Sequence, residues 1–167
     1  PPKSGTIGEM PSGYGGAGWS GGNPHDYDRD HCVDLVQLSA FLKTTQPEAA
    51  ETLALAEDGP TRRRFLARLE GEISKRGTID VLRKGIKHGA LHIDLFYGTP
   101  SLENQKAKEL FELNRFTATR QLRYSKTDTQ LTLDLGLFIN GLPVFTFELK
   151  NSLTKQTVDD AVRQYEK

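Results

Sequence analysis

Leu131-Thr132-Leu133-Asp134-Leu135-Gly136-Leu137-Phe138-Ile139-Asn140-Gly141-Leu142-Pro143-Val144-Phe145-Thr146-Phe147-Glu148-Leu149-Lys150-Asn151 is the stretch on which the reading of the fold turns. Two runs of alternating residues flank an Asn-Gly-Leu-Pro turn signal, the pattern of a β-hairpin. Asp134 sits on the first run. Glu148 and Lys150 sit two apart on the second, and strand positions two apart share a face. Ordinary strands turn such polar side chains to water. Here Phe145, Phe147 and Leu149 flank them, which points to a covered sheet that carries a polar site.

Two carboxylates and a lysine are the minimal kit for metal-dependent phosphodiester cleavage. The carboxylates can hold a hard cation such as Mg²⁺ through oxygen, and the carbonyl of Leu149 can add a third oxygen. A bound cation polarises the phosphate and acidifies a water, while Lys150 can offset charge developing on the phosphoryl oxygens. The chemistry makes a geometric demand, because opposed residues of an antiparallel pair share a face. A strict two-residue Asn140-Gly141 loop sets Asp134 opposite Phe147, on the wrong face. A three-residue loop or a β-bulge restores the shared face, so one of these is expected. Spacing alone leaves a rival open: a surface hairpin with a cross-strand ion pair.

The 167 residues suffice for one domain with a real core. Lys+Arg and Asp+Glu both number 22, so no global positive field argues for nucleic acid, and any such partner needs a local patch or other subunits. The single cysteine, Cys32, excludes an internal disulfide and a cysteine-based zinc site. It fits a reducing, cytoplasmic setting and reads most simply as core. No apolar run approaches about 18 residues, so no membrane contact is expected.

Residues 1–23 hold half of the 16 glycines and read as a flexible segment. An ordered domain is expected over 24–167. A helix preceded by Asp30 or His31 has its apolar positions at Val33, Leu35, Val36, Leu38, Phe41 and Leu42. Pro47 opens a second through about Glu57, and Thr61 caps a third that ends at Gly77. A short helix follows from Thr78. Alternation predicts a strand over Ala90–Tyr97, and a helix over Ser101–Leu113 turns Leu102, Leu110, Phe111 and Leu113 inward. A second strand runs Phe116–Tyr124, then comes the hairpin. A last helix begins at Thr157, and the chain stops inside its pattern. The fold class is therefore α/β, a mixed central sheet flanked by helices.

The run from Asp134 through Phe138-Ile139-Asn140-Gly141-Leu142-Pro143, followed by Glu148-Leu149-Lys150-Asn151, closely resembles the N-terminal nuclease domain of type I restriction enzyme R subunits. Asn114-Arg115-Phe116, Thr119-Arg120-Gln121 and the Gln156–Tyr165 segment resemble that family too. So do Trp19–Asp34, Thr45-Gln46-Pro47 and Leu82–Gly85, which look like one bacterial branch of it. The family has the PD-(D/E)xK restriction-endonuclease-like core. The resemblance implies Asp134 and Glu148 as Mg²⁺ ligands, Lys150 as catalytic lysine and Gln164 as the glutamine of a Gln-x-x-x-Tyr motif. It implies double-stranded DNA as substrate, with specificity and methylation subunits as partners. ATP enters only through a motor region that this chain does not contain. The family's N-terminal helix with its glutamate has no counterpart in the glycine-rich segment. That departure keeps a rival in view, a DNA-binding or docking domain with a decayed site, as does a related nuclease serving repair.

Arg115, Arg120, Arg123 and Lys126 cluster around the second strand and are candidates for DNA phosphates, Arg120 first. Arg62-Arg63-Arg64 reads as a solvated helix face. His25, His31, His88 and His92 lack zinc-ligand spacing. Gln121 and Asn114 can orient the site or bond backbone, and backbone bonding is the simpler reading of the two.

Overall fold

The computed structural model describes residues 18–101, 103–125, 127–128 and 131–148. Strand β1 (Trp19–Gly21) precedes a single 3-10 turn, Pro24–Asp26, and the two-residue strands β2 (Tyr27–Asp28) and β3 (Val33–Asp34). Four helices follow, α1 (Leu35–Thr45), α2 (Pro47–Thr52), α3 (Pro60–Arg76) and α4 (Thr78–Lys84). Next come β4 (Ile86–His88), β5 (Leu91–Ile93), α5 (Gln105–Glu112), β6 (Phe116–Arg123), β7 (Thr132–Ile139) and β8 (Leu142–Phe147). The main sheet has the order β1-β6-β7-β8, parallel between β1 and β6 and antiparallel elsewhere. This is a mixed α/β architecture consistent with a restriction-endonuclease-like core. The described structure begins inside the segment that composition assigns to a linker, because β1 draws Trp19–Gly21 into the sheet. The rest of that reading, residues 1–17, falls outside the described residues.

Helix boundaries follow local chemistry. Asp34 pairs with Tyr27 across β2 and β3, and its carboxylate accepts from the Gln37 amide at 3.0 Å. That cap moves the start of α1 to Leu35, past the expected one. Pro47 occupies the first turn of α2 as expected, but the helix stops at Thr52, where the chain turns through Ala54 at φ +50°. Pro60 takes the first position of α3, so Gly59 rather than Thr61 precedes it. Gly77 ends α3 and its amide donates to the Ile73 carbonyl at 2.7 Å. Helix α5 is shorter than expected, is capped by Asn104, and buries none of its residues; Leu113 beyond it is 38% exposed.

The main core gathers Val33, Leu38, Phe41 and Leu42 with Phe65, Leu66 and Leu69 of α3, Val81 and Leu82 of α4, and Leu142 of β8. Each such side chain contributes roughly 1.5–3 kcal/mol of gross burial energy. A separate cluster, Leu122, Leu133 and Phe138, lies on the sheet with Tyr27 and Tyr124 packed against it.

The strand expected over 90–97 is only three residues long, paired with the unforeseen β4. Its continuation is bonded by side-chain amides instead of a neighbouring strand. Gln46 Nε2 donates to the Asp94 carbonyl at 2.8 Å and its Oε1 accepts from the Asp94 amide at 3.0 Å. Asn114 accepts from the Tyr97 amide and donates to the Tyr97 carbonyl at 2.7 Å. Asn140 Nδ2 donates to the Leu95 carbonyl at 2.9 Å. Apolar alternation reports burial, and it cannot distinguish a ladder from amides that imitate one.

The β7–β8 hairpin closes with two residues, Asn140 at φ +51° and Gly141 at φ +83°, the signs of a type I′ turn. A Cβ on Gly141 would collide with the Asp34 carbonyl and with Leu38. The expected odd loop is therefore not found. The expected bulge is, further down: Phe138 faces Pro143 while Leu137 faces Phe145, which leaves Val144 as the extra residue of β8.

Candidate active site

The bulge at Val144 sets the parity of the hairpin below it. From there the register runs Leu137–Phe145, Gly136–Thr146, Leu135–Phe147. The ladder ends there, with Asp134 and Glu148 the next residue on each strand; the same register carried one step further would oppose them on a shared face. Without the extra residue, Asp134 would stand opposite Phe147. Both carboxylates are half-buried. On the other side, the β6–β7 ladder holds one register throughout but skips the rung between Gln121 and Asp134. Gln121 adopts φ +51° there, an uncommon conformation for a non-glycine residue.

Asp134 opens into a cleft of about 550 Å³ lined by Pro24, His25, Arg29, Gln121, Arg123 and Thr132. That volume falls within the range of small-ligand sites. Arg29, Arg123 and His25 line the same cleft as Asp134, none of them within ion-pair distance of it. Arg123 is the one arginine of the expected cluster that reaches this cleft. Arg120 is exposed, stands opposite Leu135 and does not line it. Arg115 lies at the far end of β6, where its Nε donates to Gln37 Oε1 at 2.7 Å. Leu149, Lys150 and Gln164, like Lys126, lie outside the described residues.

The far wall of the cleft, Pro24 to Arg29, was not foreseen in the sequence. It rests on the sheet through the Gly22 amide, which donates to the Ala118 carbonyl at 3.0 Å. The Tyr27 ring meets Phe138 edge-on at 5.8 Å. Burial pushes the Tyr27 hydroxyl well above the usual phenol range, so it stays neutral within this packing. The Trp19–Asp34 resemblance was the available signal, but it carried no role.

Several other residues resolve plainly. Asn114 bonds backbone, as read, whereas Gln121 faces the cleft. Arg62 and Arg63 both pair with Asp58; the solvated face holds for Arg63 and Arg64, whereas the Arg62 side chain is only 16% exposed, turned in against the protein. His92 sits 3.3 Å from Asp94 and His31 3.3 Å from Asp28; neither lines the cleft. Cys32 is exposed at φ +56°, in the turn between β2 and β3, and not in the core.

Among the described residues no three His, Cys, Asp or Glu side chains converge as metal ligands. Asp134 and Glu148 remain a two-carboxylate, oxygen-only donor set. That set fits a hard divalent cation completing its shell with carbonyl, water or phosphate oxygen. No helix among the described residues is long and apolar enough to cross a membrane.

The family model described as the type I restriction enzyme R protein N terminus matches residues 42–167. No curated protein and no solved structure matches the chain.

Proposed function

Because the chain belongs to the family of type I restriction enzyme R protein N termini, we propose that its cleft hydrolyses DNA phosphodiester bonds with Mg²⁺, as the nuclease centre of a type I restriction enzyme. The supporting observation is the bulge at Val144, whose register, continued one residue past the ladder, would oppose Glu148 to Asp134 beside a cleft lined by Arg29 and Arg123. In this reading the Asp134 and Glu148 carboxylates and the Leu149 carbonyl would hold the metal. A cation bound there supplies Lewis-acid polarisation of the phosphate and a water of lowered pKa. Lys150 orients the attacking water and offsets charge on the phosphoryl oxygens. Gln164 orients the site from the following segment, and Arg123 holds a phosphate of the strand being cut. Arg115 and Arg120 stand outside the cleft; in this reading they serve only as outlying contacts along the DNA.

Neutral net charge suits a domain that does not retain DNA by itself. Sequence choice would come from specificity and methylation subunits, and ATP would be used by a motor region. The test is cleavage by the assembled enzyme. Asp134→Ala and Lys150→Ala are each expected to lower it by more than about a hundredfold with translocation intact. Retained cleavage in either variant refutes the assignment.

The glycine-rich sequence that stands where the family carries its N-terminal glutamate helix motivates a second reading, a DNA-binding or docking domain with a decayed site. Calorimetry separates the two: Mg²⁺ uptake that disappears in Asp134→Asn excludes the decayed site.

A further inference from the structure

The cleft has two walls of different origin. Gln121, Arg123, Thr132 and Asp134 come from the sheet, whereas Pro24, His25 and Arg29 come from the segment ahead of it. This second wall precedes residue 42, where the family match begins.

The wall is built to hold its position. Asn23 Oδ1 accepts from the His25 amide at 3.1 Å and Asn23 Nδ2 donates to Asp26 at 3.2 Å. Asp28 Oδ1 accepts from the amides of Asp30 and His31 at 2.9 and 3.1 Å, with the His31 ring 3.3 Å away. Gly22 lies so close to the sheet that a Cβ there would strike the Thr119 hydroxyl. The Asp28 carboxylate beside Arg29 is thus engaged locally. Arg29 itself is half-buried, and among the described residues neither it nor Arg123 has a carboxylate within ion-pair distance. A guanidinium removed in part from water without a counter-charge is costly to keep, and its fork of donors matches phosphate.

We propose that Arg29 is a phosphate clamp facing Arg123 across the cleft, so that the segment before the family match grips the DNA backbone on the side opposite the sheet. The phosphate contact rests on the nuclease reading only for which bond is then cut.

Binding of a 20-bp duplex (the probe length) to the intact protein, followed by fluorescence anisotropy with Ca²⁺ replacing Mg²⁺, reads the clamp without cleavage. Arg29→Gln is expected to weaken binding about tenfold and to reduce the slope of log affinity against log salt by about 0.9. Arg29→Lys should restore the slope but only part of the affinity, because a point charge replaces the fork. Arg64→Gln, on the exposed face of α3, should change neither. If Arg29→Gln does not fold, Arg29→Met, which keeps the aliphatic stem, gives the same readout. Wild-type affinity and slope in the Gln or Met variant, or no salt-dependent binding by the unaltered protein, overturns the clamp. Cleavage surviving Asp134→Ala overturns the nuclease reading and leaves the binding result standing, so the two failures are distinct.

Discussion

The two ends of one hairpin live in different surroundings. At the turn, Asn140, Gly141 and Leu142 are all buried, and Gly141 accepts the Asp34 amide at 2.8 Å. Asn140 also accepts the Arg115 amide at 2.6 Å and donates to Leu95 and Asn114. Toward the other end, six residues from Asn140 and from Leu142, the same strands are open: Asp134 and Glu148 are half-buried, and Phe145 and Phe147 are 63% and 43% exposed. Among the described residues, the small Leu122–Leu133–Phe138 cluster lies at that end. The hairpin is a lever clamped in the main core at one end and open at the other. Under the proposed function, stability and chemistry belong to separate ends, and substitutions at each should report on only one of them.

The largest expected effect is at the open end. Asp134→Asn should cut DNA cleavage by about a thousandfold or more, with a melting temperature close to that of the parent. A large drop in melting temperature would show that the open end also carries stability. Next comes the clamped end. Asn140→Ala removes three side-chain hydrogen bonds and places alanine at positive φ, costing about 3–5 kcal/mol in urea unfolding. Asn140→Gly should cost about 1 kcal/mol less, since only the backbone penalty is relieved. A matched pair then sharpens the contrast along β8. Leu142→Ala should cost about 2–5 kcal/mol and Phe145→Ala less than about 1 kcal/mol; similar losses would erase the distinction.

A pH effect follows at the clamp. Burial raises the Asp34 carboxyl above its usual range, against the lowering effect of the Gln37 amide. The folded state then binds this proton more tightly than the unfolded state. Asp34 therefore lowers stability at neutral pH, and the cost fades as pH falls through the folded value toward about 4. Asn caps a helix as well as Asp. Asp34→Asn should therefore be the more stable at pH 7, by a margin that shrinks as pH falls toward about 4, as chemical unfolding at both values would show. The smallest effect belongs to Thr119→Val. The Thr119 hydroxyl is buried without a hydrogen-bond partner among the described residues, so its removal should leave stability unchanged or slightly higher.

The sheet strands were legible because their side chains alternate in a sheet covered on one side. Phe116–Arg123 and the hairpin stand where periodicity sets them. The bulge was legible as a requirement, from the parity of Asp134 and Glu148, but its place was not. An Asn-Gly pair forms a sound two-residue turn by itself, and nothing in Pro143-Val144-Phe145 marks which residue is left unpaired. Residues 94–97 misled because Gln46, Asn114 and Asn140 supply from a distance the hydrogen bonds of a neighbouring strand. Trp19–Gly21 and the Arg29 wall were hidden for a related reason. A three-residue strand in glycine-rich sequence has no period, and its partner lies about a hundred residues away. Cys32 was misjudged because residue type predicts burial only on average, and a tight turn overrides it.

Val144 also makes the hairpin sensitive to length. Loss of a single codon between the turn and Glu148 would reverse the parity of that acid while Asp134 and Glu148 both remained in the gene. The fold would persist on its buried turn. Under the proposed function, a one-residue gap in this short interval is therefore the mark by which an inactivated descendant would be known, even with its aspartate, glutamate and lysine all in place.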